Sequence, residues 1–248
     1  MTGTLTARIV LLAAAWFATG DARASDPPTV SQTVTISELF AADEAKALAP
    51  TMRLDRKIIF HVRVPPGKGP HGVLVFIHPG HNAEPMPGWA EVLDRRDLIY
   101  IAAEGFGNDK PGNQRALVAL LALKHLARTQ RLADGRRYVG GMSGGGKMAS
   151  QVLTLFPGFF DGALCIVGAV PIKPAKARVP EFADKRVVFM TGSEDFNHYD
   201  VVAVHKRLLE SKLAHSFLMD IDGFTHQYPD GAQLDAALEL LDPREERH

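Results

Sequence analysis

A serine hydroxyl is a poor nucleophile until a base removes its proton and a carboxylate orients that base. Three residues far apart in this chain have the types and settings for that arrangement. Ser143 stands in Gly141-Met142-Ser143-Gly144-Gly145, a Gly-x-Ser-x-Gly pattern. Small residues two before and two after the serine permit a sharp strand-to-helix turn with a strained backbone at its centre. Such a turn lifts the hydroxyl above a sheet edge, beside a helix N-terminus where developing negative charge is favoured. Asp195 lies in Thr191-Gly192-Ser193-Glu194-Asp195-Phe196-Asn197, with Glu194 and Asp200 as alternative acids. His226 lies in Asp222-Gly223-Phe224-Thr225-His226-Gln227-Tyr228-Pro229, with His198 as its rival. The glycine run admits a second chemistry. Gly141 to Lys147 also fits Gly-x-x-x-x-Gly-Lys, most of a phosphate-cradling loop. Met148 stands where that loop needs a magnesium-binding hydroxyl, and the loop leaves Asp195 and His226 without a role.

The elements that must position these residues follow from hydrophobic periodicity. Ile58, Phe60, Val62 and Val64 alternate as in a half-buried strand, and Pro65-Pro66-Gly67 ends it. Val73-Leu74-Val75-Phe76-Ile77 is continuously apolar and suits a strand buried on both faces. A weaker strand is expected near Val34 to Ile36 and a helical pattern at 41–49. A short helix at Trp89 to Arg95 and a strand at Leu98 to Ala102 come next. The stripe Leu117, Leu120, Leu121 predicts a helix within 113–128 that Asn113 could cap. The serine then joins a strand to a helix with Met148, Val152 and Leu155 on one face. Strands follow at Ala163–Val167, Arg186–Met190 and His215–Ile221. Between the last two, a helix begins near Asp200, and a final helix carries Leu234, Leu238 and Leu241. Alternating strands and helices call for a mainly parallel sheet covered on both faces. Parallel strands deliver their carboxyl ends to one rim, where Ser143, Asp195 and His226 can meet.

The order Ser143, Asp195, His226 and the Gly-x-Ser-x-Gly turn resemble the α/β-hydrolase superfamily over essentially all of residues 55–241. Ile77-His78-Pro79-Gly80 and Phe156-Pro157-Gly158-Phe159-Phe160-Asp161-Gly162-Ala163 are most similar to the secreted feruloyl esterases and polyhydroxyalkanoate depolymerases. The resemblance implies an α/β fold with a mainly parallel twisted sheet of about eight strands. It implies catalytic roles for Ser143, Asp195 and His226, and an oxyanion hole made by the amides of Gly80 and Gly144. The related loops usually read His-Gly-x; here Pro79 replaces the glycine and removes an amide. His81 is an alternative donor. Only Pro171 to Asp184 lies where many relatives insert a helical lid, so no lid domain is expected and the site should be open.

Composition narrows the setting. Arg8, the apolar run Ile9 to Ala18 and Ala22-Arg23-Ala24 predict a signal peptide at 1–24, cleaved after Ala24. The run is too short to span a bilayer, and no membrane anchor is expected. A single domain at 25–248, 224 of the 248 residues, would be secreted or periplasmic. Removing Arg8, Arg23 and Asp21 from 28 basic and 28 acidic residues leaves 26 and 27. That balance argues against nucleic acid as a partner. Cys165, the sole cysteine, sits in an apolar run and reads as a small buried hydrophobe. The histidines lack metal-ligand spacing, so neither metal nor other cofactor is expected. The expected function is cleavage of carboxylic esters, with an ester attached to a bulky or polymeric molecule as the expected partner. A peptidase or amidase of the same fold and an inactive binding protein are the alternatives. Phe196, Phe224, Tyr228 and Trp89 fall near the expected rim, as substrate contacts or as packing.

Overall fold

The computed structural model describes residues 27–39 and 50–243; the expected signal peptide and the helical pattern at 41–49 lie outside them. The described residues build one sheet of eight strands. In chain order these are β1 (Val30–Thr35), β2 (Lys57–Arg63), β3 (His71–Ile77), β4 (Leu98–Ala103), β5 (Leu132–Met142), β6 (Gly162–Ile166), β7 (Arg186–Gly192) and β8 (His215–Ile221). Their spatial order is β1-β2-β4-β3-β5-β6-β7-β8. Both β1–β2 and β2–β4 pair antiparallel, and every later pairing is parallel. Among the described residues, five helices cover the sheet: α1 (Trp89–Arg96), α2 (Gly112–Thr129), α3 (Gly144–Leu155), α4 (His198–Ser211) and α5 (Gly231–Leu241).

The continuous apolar run of β3 is explained by its two covered faces. Val73, Val75 and Ile77 pack into one core with Leu117, Leu121, Val152, Val201 and Leu208 of α2, α3 and α4. Leu74 and Phe76 point the other way, into a core with Trp89, Val92, Leu234 and Leu238 of α1 and α5. Period-two alternation sends neighbours to opposite faces, so a strand covered on both must be apolar throughout. Each such fully buried side chain contributes about 1.5–3 kcal/mol relative to exposure.

Several local expectations are revised. Helix α2 begins at Gly112 after Pro111, so Asn113 lies inside the first turn rather than capping it. Helix α4 is entered from Asn197 and starts at His198, which places Asp200 in its first turn. The first strand ends at Thr35, and Ile36 opens a short 3-10 turn. Leu155 is 51% exposed, because α3 ends there and its last side chain turns away from the sheet. The final helix is capped as its sequence allows: Asp230 accepts from the Gln233 amide, and the Gln233 side chain accepts from the Asp230 amide. Between β6 and β7 lie residues 167–185, whose regular structure is one 3-10 segment, Lys176–Phe182. No lid domain covers the sheet there.

Candidate active site

The carboxyl ends of β3, β4, β5, β7 and β8 converge on one rim, and the site is assembled there. Strand β5 runs in the middle of the sheet, between β3 and β6, and hands Ser143 directly to α3. Ser143 adopts φ 56°, ψ −119°, a conformation that costs an L-residue about 1–3 kcal/mol and persists only when its surroundings impose it. The imposing contacts are tight. A Cβ on Gly145 would stand 1.8 Å from the Ile77 carbonyl oxygen, and one on Gly141 would stand 2.4 Å from Gly145. The Ser143 amide donates to the Ile166 carbonyl at 2.8 Å, which ties the turn to β6.

Asp195 occupies the turn after β7 with its side chain fully buried. One carboxylate oxygen, Oδ2, accepts from Thr191 Oγ1 at 3.0 Å. The other, Oδ1, accepts from the Asn197 amide at 3.2 Å and lies 2.7 Å from His226 Nδ1. His226 Nε2 lies 2.8 Å from Ser143 Oγ. A single hydrogen-bonded chain thus joins Ser143, His226 and Asp195, drawn from positions separated by 83 and 31 residues. The rivals stand apart from it. Glu194 and Asp200 are exposed, and His198 Nε2 is held by both carboxylate oxygens of Asp220 at 3.0 Å. Phe196 stacks on the His226 ring, with centroids 4.0 Å apart and planes 27° from parallel, while 76% exposed.

The loop after β3 packs beside the serine turn. His78 is buried between two phenols, with Nε2 2.7 Å from Tyr100 Oη and Nδ1 3.0 Å from Tyr228 Oη. Burial pushes its pKa down to about 4, so it stays neutral at ordinary pH and acts as a brace. The brace spans the rim, because Tyr228 belongs to the loop that carries His226. The indole Nε1 of Trp89 donates to the Pro229 carbonyl at 2.9 Å and secures that loop from the other side. Trp89, Tyr228 and Phe224 therefore serve packing, and of the four rim aromatics only Phe196 is exposed. Neither the Gly80 amide nor the Gly144 amide has a hydrogen-bond acceptor among the described residues. The Pro79 and His81 carbonyls are engaged, accepting from the amides of Asn108 at 2.8 Å and Gly105 at 3.1 Å.

Sequence reasoning missed Arg115. This arginine is 6% exposed and forms no ion pair among the described residues. Its guanidinium instead donates to three carbonyls from three segments: Phe106 at 3.1 Å, His78 at 3.1 Å and Gly144 at 3.4 Å. Five donors in a fixed planar fork suit that task. In the sequence it is one cation in the first turn of α2, with nothing to mark it. Among the described residues, no group of three or more His, Cys, Asp or Glu side chains could hold a metal.

Comparison with known proteins places this architecture. No family model and no curated protein sequence matches the chain. Solved structures do. A ferulic acid esterase superposes with TM-score 0.61 at 16% identity, covering 85% of this chain and 95% of its own. The S-formylglutathione hydrolase FrmB from Staphylococcus aureus gives 0.62 at 15%, covering 86% and 96%. A hyperthermophilic esterase from the archaeon Pyrobaculum calidifontis gives 0.62 at 13%, covering 87% and 84%. This is the α/β-hydrolase fold. At such identities the likeness establishes architecture, and function must be argued from the site.

Proposed function

We propose that the protein is a serine hydrolase that cleaves carboxylic esters through an acyl-enzyme. The observation that carries the proposal is the chain from Ser143 Oγ through His226 to buried Asp195, with the serine in a strained turn at the N-terminus of α3. The esterase names of two of these structural neighbours support the ester reading.

In the proposed reaction Ser143 Oγ attacks the acyl carbon while His226 Nε2 takes its proton. Asp195 orients the imidazole and stabilises the imidazolium that forms. The carbonyl electrons move onto oxygen, and the amides of Gly80 and Gly144 hold the resulting oxyanion. Collapse of this intermediate breaks the bond to the alcohol, which leaves with the proton from His226. Water then attacks the acyl-serine, with His226 again taking and returning the proton. Neither a metal nor another cofactor has a part in these steps.

The short connection at 167–185 favours an open site, and an ester carried on a bulky or polymeric molecule is the substrate class we assign. Export with removal of residues 1–24 would bring the protein to such substrates outside the cytoplasm. The test is intact-mass analysis after exposure to a fluorophosphonate. The mature protein should gain one adduct that Ser143→Ala abolishes and His226→Ala slows by several orders of magnitude. Turnover of short-chain esters should exceed that of matched amides, whereas faster amide cleavage would favour a peptidase. An unlabelled, well-folded parent would point to a binding protein instead.

A further inference from the structure

The proposed oxyanion hole has a third wall, made by the loop after β4. Residues 104–108 are fastened to the loop after β3 at two points, the Gly105 amide on the His81 carbonyl and the Asn108 amide on the Pro79 carbonyl. Gly107 lies directly beneath Gly80; a Cβ there would stand 2.8 Å from the Gly80 carbonyl oxygen. Arg115 binds this loop at Phe106, the β3 loop at His78 and the nucleophile helix at Gly144, so one buried side chain sets the spacing of all three.

The loop ends on Asn108, whose carboxamide lies against Gly144. A Cβ added to Gly144 would meet Asn108 Oδ1 at 2.1 Å, Cγ at 2.6 Å and Nδ2 at 2.7 Å. The carboxamide therefore rests on the residue whose amide follows the nucleophile. Asn108 is exposed, and its side chain has no hydrogen-bond partner among the described residues. With its backbone amide fixed on Pro79 and its carboxamide against Gly144, Asn108 presents a polar amide group beside the turn that carries Ser143.

We propose that Asn108 is a further catalytic residue, a side-chain amide donor to the oxyanion formed at Ser143. The proposal rests on the serine-hydrolase reading above. A third donor also accounts for the tolerance of Pro79, which removes an amide from the usual loop. Preorganised donors act where charge develops, so their loss appears in kcat rather than in KM.

The experiment compares the parent, Asn108→Ala and Asn108→Asp on a short-chain ester, together with the affinity of a boronic acid that forms a tetrahedral serine adduct. Both variants should melt with the parent, since the side chain is exposed and unpartnered. Asn108→Ala should lose at least about tenfold in kcat, towards the 10²–10³ typical of a lost donor, with KM within about twofold. Its boronate affinity should fall by a similar factor. Asn108→Asp keeps the shape but sets a carboxylate against the oxyanion, so it should be worse than alanine. A structural role would spare the isosteric variant and shift the melting temperature. Parent-like kcat in Asn108→Ala, or a loss confined to KM, overturns the proposal. A parent that neither turns over nor takes the fluorophosphonate label sinks the serine-hydrolase reading itself.

Discussion

Asp195→Asn tests the proposed role of the buried acid, because the hydrogen bonds of the site dictate how an asparagine must sit. Oδ1 of Asp195 receives two N–H groups, the Asn197 amide and His226 Nδ1, while Oδ2 receives the Thr191 hydroxyl. An asparagine with its NH₂ toward Oδ1 would oppose donor to donor at Asn197. With its NH₂ toward Thr191 the hydroxyl turns to accept, and both N–H groups keep an oxygen. The structure therefore predicts that the variant retains the tautomer with hydrogen on Nδ1 and a free Nε2 facing Ser143. Only the charge is lost. A unit charge about 4 Å from the imidazolium, at an effective dielectric of about 20, is worth about 4 kcal/mol. That corresponds to a fall of about 10³ in kcat. A wrong tautomer would cost about 10⁴ instead. Asp195→Ala should be worse than Asp195→Asn and should also destabilise, since it strands three buried donors at about 1–3 kcal/mol each. The assay is kcat on an activated ester, paired with ¹H–¹⁵N correlation spectroscopy of the His226 ring. Asparagine and alanine variants equally inactive, or an Nε2-protonated ring in the asparagine variant, would refute the reasoning.

Three further outcomes are expected. Gly145→Ala should lower the melting temperature and abolish activity, because the added methyl falls 1.8 Å from the Ile77 oxygen and overpacking on this scale costs about 1–3 kcal/mol or more. His61 should contribute a pH-dependent increment of stability: burial disfavours its charge, but hydrogen bonds to Glu104 and Glu84 outweigh that and raise its pKa above 6.5. A raised folded-state pKa gives stability that is full below about 6.5 and lost as pH rises through the higher value. Denaturant titrations should then find the gap between parent and His61→Asn wide at pH 5.5 and closing on the alkaline side; a gap that widens there would contradict the assignment. Cys165 is fully buried, which pushes its thiol up to about 12, so the native protein should resist iodoacetamide at pH 8 and react once unfolded.

The chain's linear pattern was enough to mark most strands and helices. A continuous apolar run marked β3 as a doubly covered strand, and alternation marked β2. The chain order of serine, acid and histidine, each after a strand end, was sufficient to select the residues that the parallel sheet then brings together. Caps were less legible. Asn113 and Asp200 are chemically able to cap, but the neighbouring Pro111 and Asn197 start their helices earlier. What only the tertiary structure decided is the bracing of the rim. His78 reaches Tyr100 and Tyr228 across 22 and 150 residues, and Arg115 reaches His78 and Gly144 across 37 and 29. Such contacts leave no period and no motif, because each depends on where the ends of separate strands are carried by the packing of two cores. The proposed roles of Ser143, Asp195 and His226 rest on residue types and local turns that the sequence displays, whereas the groups that hold them in register are selected by three-dimensional proximity alone.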